Sequence, residues 1–517
     1  MGAALVLFLV ACGCYLFARY DSKYTLVMTA LFAVFLAAII LVRHFARWGS
    51  FDCDVPYVVT LCLTGLAFFI VFAPGTVPDE IYHFNAAYKY TDVWLGQETT
   101  DSSIAMRTDD LVFETEVLYS YHQDPNQSVP LLNRSSYRNT IQHASLFVDN
   151  ADTIQQPVDS SYPIESNVPQ LKLPSAIGIL IARLLNLGAV PLFYLGRLFN
   201  FAYFVVLAVA AVRLTPVGRG VFKAISLLPM TLHLAASYSY DAGTIGLAML
   251  FSALALRAIL AEGRLGRSEL VALACSAIAL APCKVIYSLL LILLFFIPAE
   301  RFCSRRWGMA FKLGIVFVSF LVVVGLRYET FLNLLTGETE ATTAQIKYEG
   351  VSEYYSLSSL LLNPVGTILL MLRTLEGLGD MYVFSMVGTQ LAWFQGSLYA
   401  PDYVGIALLF LLAVSTVCCP EDDAVLPRGV RVALVSAFLV FVVALLFQFA
   451  ISWTEAGADI IAGVQGRYFI PVLPLLLLAL RGGMIRSSVS LVSKIEIAES
   501  LIGLLVVLRV FAIALTL

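Results

Sequence analysis

The chain reads as an all-α polytopic membrane protein, and three features of its 517 residues predict that class. Apolar residues make up 59% and charged residues only 13%, against roughly 25% charged in soluble domains. Apolar runs of the length needed to cross about 30 Å of hydrocarbon recur along the whole chain. Basic residues gather in the short loops between these runs, whereas the long stretch 74–172 is acidic. Helix-to-helix packing then organises the mass without a separate soluble core. The net charge of −4 says little about partners, but a basic surface is absent, so no nucleic-acid partner is expected.

Spans are predicted near 3–20, 24–42, 55–73, 190–212, 221–239, 242–261, 268–283, 285–299, 312–327, 402–419, 431–452, 468–481 and 499–516. That is about thirteen crossings. The basic groups are Arg43 and Arg47; Arg213, Arg219 and Lys223; Arg264 and Arg267; Arg301, Arg305, Arg306 and Lys312; Arg428 and Arg431; Arg481, Arg486 and Lys494. With these cytoplasmic, the N-terminus is inside, and 74–172 and the C-terminus are extracellular. The organisation expected is a helical pair at 1–54, a membrane domain at 55–482 that includes the 74–172 loop, and a last helix within 483–517.

Two segments resist being spans. The run 174–186 is too short and carries Arg183, and 363–395 is interrupted by Arg373, Glu376 and Asp380. Both read as interfacial helices forming a shelf on the outer face. Within the loop, 79–94 has helical apolar spacing through Ile81, Phe84, Ala87 and Tyr88. Trp94, Phe113, Tyr119, Tyr121, Tyr137, Phe147 and Tyr162 give the loop aromatic surface to pack on the shelf. Residues 120–170 are rich in Asn, Gln, Ser and Pro and suit a mobile lid. The nine cysteines sit in or beside apolar runs, so neither a disulfide framework nor a zinc site is expected. Cys12 follows Leu9-Val10-Ala11 as in a lipoprotein signal, but no Lys or Arg precedes it, and 3–18 reads as a retained helix.

Four clusters can carry chemistry. The first is Pro78-Asp79-Glu80-Ile81-Tyr82-His83, where two carboxylates and a histidine leave a membrane helix. Ionisable groups at that boundary cost solvation energy. The carboxylate pair suits proton abstraction from a hydroxyl, or a divalent cation beside a phosphate; alternatively Asp79 caps the following helix. The second is Met106-Arg107-Thr108-Asp109-Asp110, where Arg107 either serves the site or pairs with carboxylates, Asp110 included. The third is Pro282-Cys283-Lys284-Val285-Ile286-Tyr287 at the tip of a hairpin, with Lys284 either snorkelling or facing a lipid-linked phosphate, and Tyr287 supporting. The fourth is Gly463-Val464-Gln465-Gly466-Arg467-Tyr468-Phe469-Ile470-Pro471. Its Arg467 can hold phosphate oxygens with Gln465 and Tyr468 beside it, or it is an interfacial Arg/Tyr anchor. Asp241 lies at the same face, as a helix cap close enough to touch a ligand.

Taken in order, these landmarks resemble the bacterial predicted membrane proteins grouped as domain of unknown function 2142. The resemblance rests on Pro78-Asp79-Glu80…His83-Phe84, Arg107…Asp110, Leu173-Pro174-Ser175-Ala176-Ile177-Gly178, Tyr240-Asp241-Ala242, Lys284…Tyr287…Pro298 and the Gly463–Pro471 motif. It covers about residues 55 to 480. That family is similar to the GT-C superfamily, polytopic glycosyltransferases that use polyprenyl-phosphate-linked sugars and carry an acidic motif in the first large outer loop. Their loop follows the first helix, whereas here two apolar runs precede the comparable one.

The resemblance implies a GT-C-like enzyme in the cell membrane. Its donor is a polyprenyl-phosphate sugar and its acceptor an envelope glycan or glycolipid. Asp79 or Glu80 would be the base, His83 the orienting group, and Lys284 and Arg467 the phosphate ligands. The alternatives are a non-catalytic scaffold or sensor and a transporter of lipid-linked saccharides. A transporter should line a cavity with ionisable residues in mid-span, and the predicted spans are nearly free of them, His233 and Gln448 being the exceptions. The charge pattern makes one prediction directly. In a cysteine-free background, Ser128→Cys reacts with an impermeant maleimide on intact cells, and Ser304→Cys reacts only after permeabilisation. Labelling of Ser304→Cys from outside breaks the topology.

Overall fold

The computed structural model describes residues 2–46, 54–100, 102–113, 131–149, 155–159, 168–328, 354–393, 395–418, 426–481, 485–487 and 491–517. A backbone in hydrocarbon must satisfy its own hydrogen bonds, and this chain does so with helices. They begin with α1 (Gly2–Tyr20), α2 (Lys23–Ala46), α3 (Val55–Val71) and α4 (Glu80–Trp94). The loop region adds α5 (Arg134–Gln142) and the antiparallel pair β1 (Ser103–Arg107) and β2 (Gln155–Asp159). There follow α6 (Pro169–Leu184), α7 (Ala189–Leu214), α8 (Arg219–Leu227), α9 (Pro229–Ala235), α10 (Asp241–Leu260), α11 (Arg267–Leu280) and α12 (Arg305–Leu326). Beyond these come the helices Pro364–Val387, Asp402–Ser415, Arg428–Trp453, Leu473–Leu480 and Val492–Ala514.

Among the described residues seven helices are long and apolar enough to cross a membrane. Four further apolar helices are shorter: Val55–Val71, Val285–Phe296, Asp402–Ser415 and Gly466–Leu480. The protein is thus an all-α, multi-pass membrane protein. Val285–Phe296 is wound as a 3₁₀ helix of 12 residues, which at about 2.0 Å per residue reaches roughly 24 Å. The tighter winding lets a short run cover most of the apolar layer.

One expected span is not continuous. The run 221–239 is broken into α8 and α9 at Leu228, whose ψ of 136° is set by the following Pro229. Both segments expected to be interfacial are helical. The first starts five residues earlier than expected, at Pro169, and packs on α4 and α7 with Arg183 turned onto Asp92. A Cβ at Gly178 would lie 2.7 Å from the Leu195 carbonyl oxygen, so this glycine permits the close approach of α6 to α7. The second, Pro364–Val387, is capped by Asn363 and ends at Gly388, φ 99°.

The described parts of the loop pack against the helices. Phe113 packs with Phe84 and Phe193, and both of these pack with Tyr238, ring centroids 4.6–5.3 Å apart. Tyr137 donates to the Val71 carbonyl, and Asn133 caps α5 in a capping box with Ser136. Trp94 and Phe147 stay exposed. Tyr119, Tyr121 and Tyr162 lie outside the described residues, as do 120–130, 150–154 and 160–167 of the stretch expected to form a lid.

At the opposite ends of these helices, basic side chains grip carbonyl-rich termini and carboxylates. Arg213 pairs with Asp54, Arg301 donates to Ala258 and Gly263 carbonyls, and Lys312 donates to Ile297. Such cation-to-C-terminus contacts suit the helix dipole. The N-terminal pair and the Val492–Ala514 helix pack on each other and on α3, sharing one apolar core with the rest.

Candidate functional site

The two adjacent carboxylates have opposite fates. Glu80 is fully buried and bidentate to Arg197 of α7, with Nε to Oε1 at 2.7 Å and Nη2 to Oε2 at 2.6 Å. The Gly75 and Tyr238 backbone N–H groups donate to the same carboxylate at 2.9 and 3.1 Å. Arg197 also donates to the Phe72 and Ala73 carbonyls, at the end of α3. No face of Glu80 is open to a substrate, so its part is anchoring.

Asp79 takes the left-handed conformation, φ 61° and ψ 12°, and its side chain makes no cap hydrogen bond. Aspartate tolerates that region better than most residues, at a strain cost that recurs at functional sites. The turn carries its carboxylate away from α4 to Arg467 Nη2, at 3.1 Å, and leaves it about half exposed (49%). The expected capping role is not realised by the side chain.

Around this pair the ends of four elements converge. Lys284 donates to Asp241 at 2.8 Å, and its ammonium sits 4.2 Å from the Tyr468 ring centroid and 4.8 Å from that of Tyr240. Burial works against the charge of Lys284, but Asp241 and the surrounding phenols hold its pKa well above the usual lysine range. Arg467 Nε lies 3.5 Å from Asp241 Oδ2 and has no hydrogen-bond partner. Gln465 Oε1 beside it is buried and unpartnered too. Tyr287 donates to the Tyr468 carbonyl at 3.0 Å and so fixes the backbone of the motif. Gly466 serves packing: a Cβ there would strike Tyr382 and Met386 backbone atoms of the Pro364–Val387 helix.

Lys172 of α6 completes the cluster. It donates to His83 Nδ1 at 2.8 Å and lies 5.1 Å from the Tyr240 centroid. A lysine ammonium only donates, so the imidazole proton of neutral His83 resides on Nε2. Burial, then Lys172, Arg467 and Lys284, hold the His83 pKa well below its ordinary 6.5. Burial likewise pushes the Tyr240 phenol up to about 12, so it stays neutral between the two lysines. Among the described residues three cations (Lys172, Lys284, Arg467) face two carboxylates (Asp79, Asp241), an excess of one positive charge. Among the described residues no three His, Cys, Asp or Glu side chains gather for a metal. With both carboxylates already paired to cations, this donor set fits an anion better than a divalent metal.

Arg107 and Asp110 are not brought into the cluster by any of these contacts. They clasp each other bidentately at 2.7 and 2.8 Å, with Tyr88 donating to Asp110 and Arg107 donating to the Leu187 carbonyl. The clasp fastens the strand pair to α4 and α7. Sequence reasoning missed Lys172, Tyr240 and Arg197. Arg197 had a legible signal, because a lone arginine within an apolar run demands a buried partner.

Two predictions follow from these environments. Glu80→Gln or Arg197→Met strands one buried charge and lowers unfolding free energy by roughly 3–5 kcal/mol, read by thermal or denaturant melting in detergent. A depressed histidine pKa contributes stability above the unfolded value, and that contribution is lost as pH falls below it. The melting temperature therefore drops as pH falls below about 6.5, and His83→Gln flattens part of this slope; an unchanged slope refutes the neutral, Lys172-bound imidazole.

No curated protein and no solved structure matches this chain. The chain belongs to the family described as predicted membrane protein (DUF2142), whose model matches residues 62–476 and so takes in every residue of the cluster.

Proposed function

We propose that this protein is a GT-C-like membrane glycosyltransferase that moves a sugar from a polyprenyl-phosphate donor to a hydroxyl of an envelope glycan or glycolipid at the extracellular face. The observation that carries the reading is Arg467: its buried Nε makes no hydrogen bond, only a 3.5 Å ion-pair contact with Asp241, while Nη2 holds the half-exposed Asp79. A phosphate is the natural occupant for that donor, given the excess positive charge from Lys284 and Lys172.

The step is a displacement. The acceptor oxygen attacks the anomeric carbon, and Asp79 takes the hydroxyl proton. The bond from that carbon to the phosphate oxygen breaks, and the electron pair leaves on polyprenyl phosphate, whose charge Arg467, Lys284 and Lys172 stabilise. Phosphate arrival competes for the Arg467 fork and releases Asp79 as a base. His83 keeps Lys172 in place, and Tyr240 and Tyr468 line the lysines with ring faces. A single displacement of this kind inverts the anomeric centre.

The transporter alternative gains one observation, because the spans hold more ionisable groups than the sequence reading allowed. Arg197, Glu499 and Arg509 all lie within them. Arg197 is consumed by Glu80 and Arg509 donates to the Leu398 carbonyl, so neither lines an open path.

The test uses purified protein in nanodiscs with radiolabelled polyprenyl-phosphate sugars and a membrane-extract acceptor. Asp79→Asn lowers transfer by about a hundredfold to ten-thousandfold with donor binding retained. Arg467→Lys weakens donor binding roughly tenfold or more, since a point charge cannot replace the fork. Wild-type transfer by Asp79→Asn removes the base, and unchanged donor binding by Arg467→Ala removes the phosphate role.

A further inference from the structure

At the ends of the helices opposite the candidate site, a second group of ionisable side chains is buried where α2, α3, α8 and the Val492–Ala514 helix meet. Glu496 accepts from Arg43, and its other oxygen lies 3.4 Å from Lys223 Nζ. Arg43 also donates to Thr60 Oγ1 at 2.7 Å and to Ser493 Oγ at 3.0 Å. Lys223 lies over the Tyr57 ring, whose hydroxyl is hydrogen-bonded to Ser226. Both cations are thus engaged by Glu496.

Glu499, one helical turn further on, is different. It is fully buried, and neither of its carboxyl oxygens has a hydrogen-bond partner. The same stripe of helix faces α3: a Cβ at Gly503 would lie 3.4 Å from Thr64 and 3.6 Å from Phe68 side-chain atoms. Thr64 Oγ1 is itself buried and unpartnered. The other titratable groups of this junction are Arg43 from α2, Tyr57 and Cys62 from α3, Lys223 from α8 and Glu496 on the same helix; Asp54 is taken by Arg213.

An ionised carboxylate with no partner in such a place carries a large, uncompensated desolvation penalty. A second negative charge three residues from Glu496 adds repulsion. Addition of a proton removes both penalties and turns one oxygen into a donor. We propose that Glu499 is a proton-binding site, a carboxylic acid kept neutral inside the C-terminal helix and exchanging its proton with the basic-loop face. Its ligand is the proton, and the contact between the C-terminal helix and α3 is the element that responds to it. The inference is independent of the sugar-transfer reading.

The reagent that reads it is dicyclohexylcarbodiimide, which reacts with protonated carboxyls in apolar surroundings. The acid proton moves to a carbodiimide nitrogen, the carboxyl oxygen bonds to the central carbon, and the adduct rearranges to a stable N-acylurea. In the intact protein in nanodiscs, mass spectrometry finds this adduct on Glu499 and not on Glu496. Its yield falls about tenfold per pH unit once the site titrates. An infrared carbonyl band of a protonated acid disappears in Glu499→Gln. Absence of the adduct on Glu499 in the folded wild type, or a carbonyl band unaltered by Glu499→Gln, overturns the proposal. Labelling suppressed by sodium chloride but not by choline chloride at one pH also overturns it, and assigns a sodium ion instead. The wild-type labelling decides the matter even where Glu499→Gln fails to fold.

Discussion

The Glu80–Arg197 pair is the interaction on which the candidate site hangs. It is fully buried, bidentate and further saturated by two backbone N–H donors and two backbone carbonyls. Those backbone groups belong to the turn after α3 and to the approach to α10. One ion pair therefore ties the segment carrying Asp79 to the segment carrying Asp241. A buried pair of this kind is a weak source of net stability, because desolvation offsets most of its attraction. What it supplies here is registry. With Glu80 clamped, its neighbour is forced through a left-handed turn, and the Asp79 carboxylate is turned out of the helix and onto Arg467.

The cluster built on that frame is held together by rings as much as by charges. Tyr240 lies between two lysine ammonium groups, and Tyr468 lies under Lys284 and Arg467. Ring faces attract cations without neutralising them. Replacing those contacts with carboxylates would cancel the positive excess, and the site would lose its attraction for an anion. His83 contributes in the same sense, since a neutral imidazole accepting from Lys172 positions that lysine and leaves its charge intact.

Much of this was legible in the sequence, for definable reasons. Hydropathy and the sorting of basic residues located the helices, because the bilayer constrains length and composition strongly. The Asp79, Lys284, Asp241 and Arg467 motifs were found because charged residues beside apolar runs are costly enough to stand out. Pairing was not legible. Glu80 and Asp79 are indistinguishable in one dimension, yet one is sealed and the other half open. Arg107 looked equally able to serve the site, and its clasp with Asp110 depends on Tyr88 and Leu187, which no spacing rule connects. The break at Leu228 does not show in hydropathy, because the apolar run continues through Pro229; only the restriction that a proline places on the residue before it marks the site.

The distribution of buried charge separates the roles of the two faces. On the loop-bearing side every buried carboxylate in the candidate site has a cation within 3.5 Å, and the surplus is positive. On the basic-loop side Arg43 and Lys223 converge on Glu496 and leave Glu499 with none. A fold under pressure only for stability would place a leucine or glutamine at 499, since either avoids an unpaired acid in the core. In the proposed reading the carboxyl of Glu499, one turn from a satisfied one, is worth its cost only when it changes charge. On that reading the first face holds an anion and the second a proton.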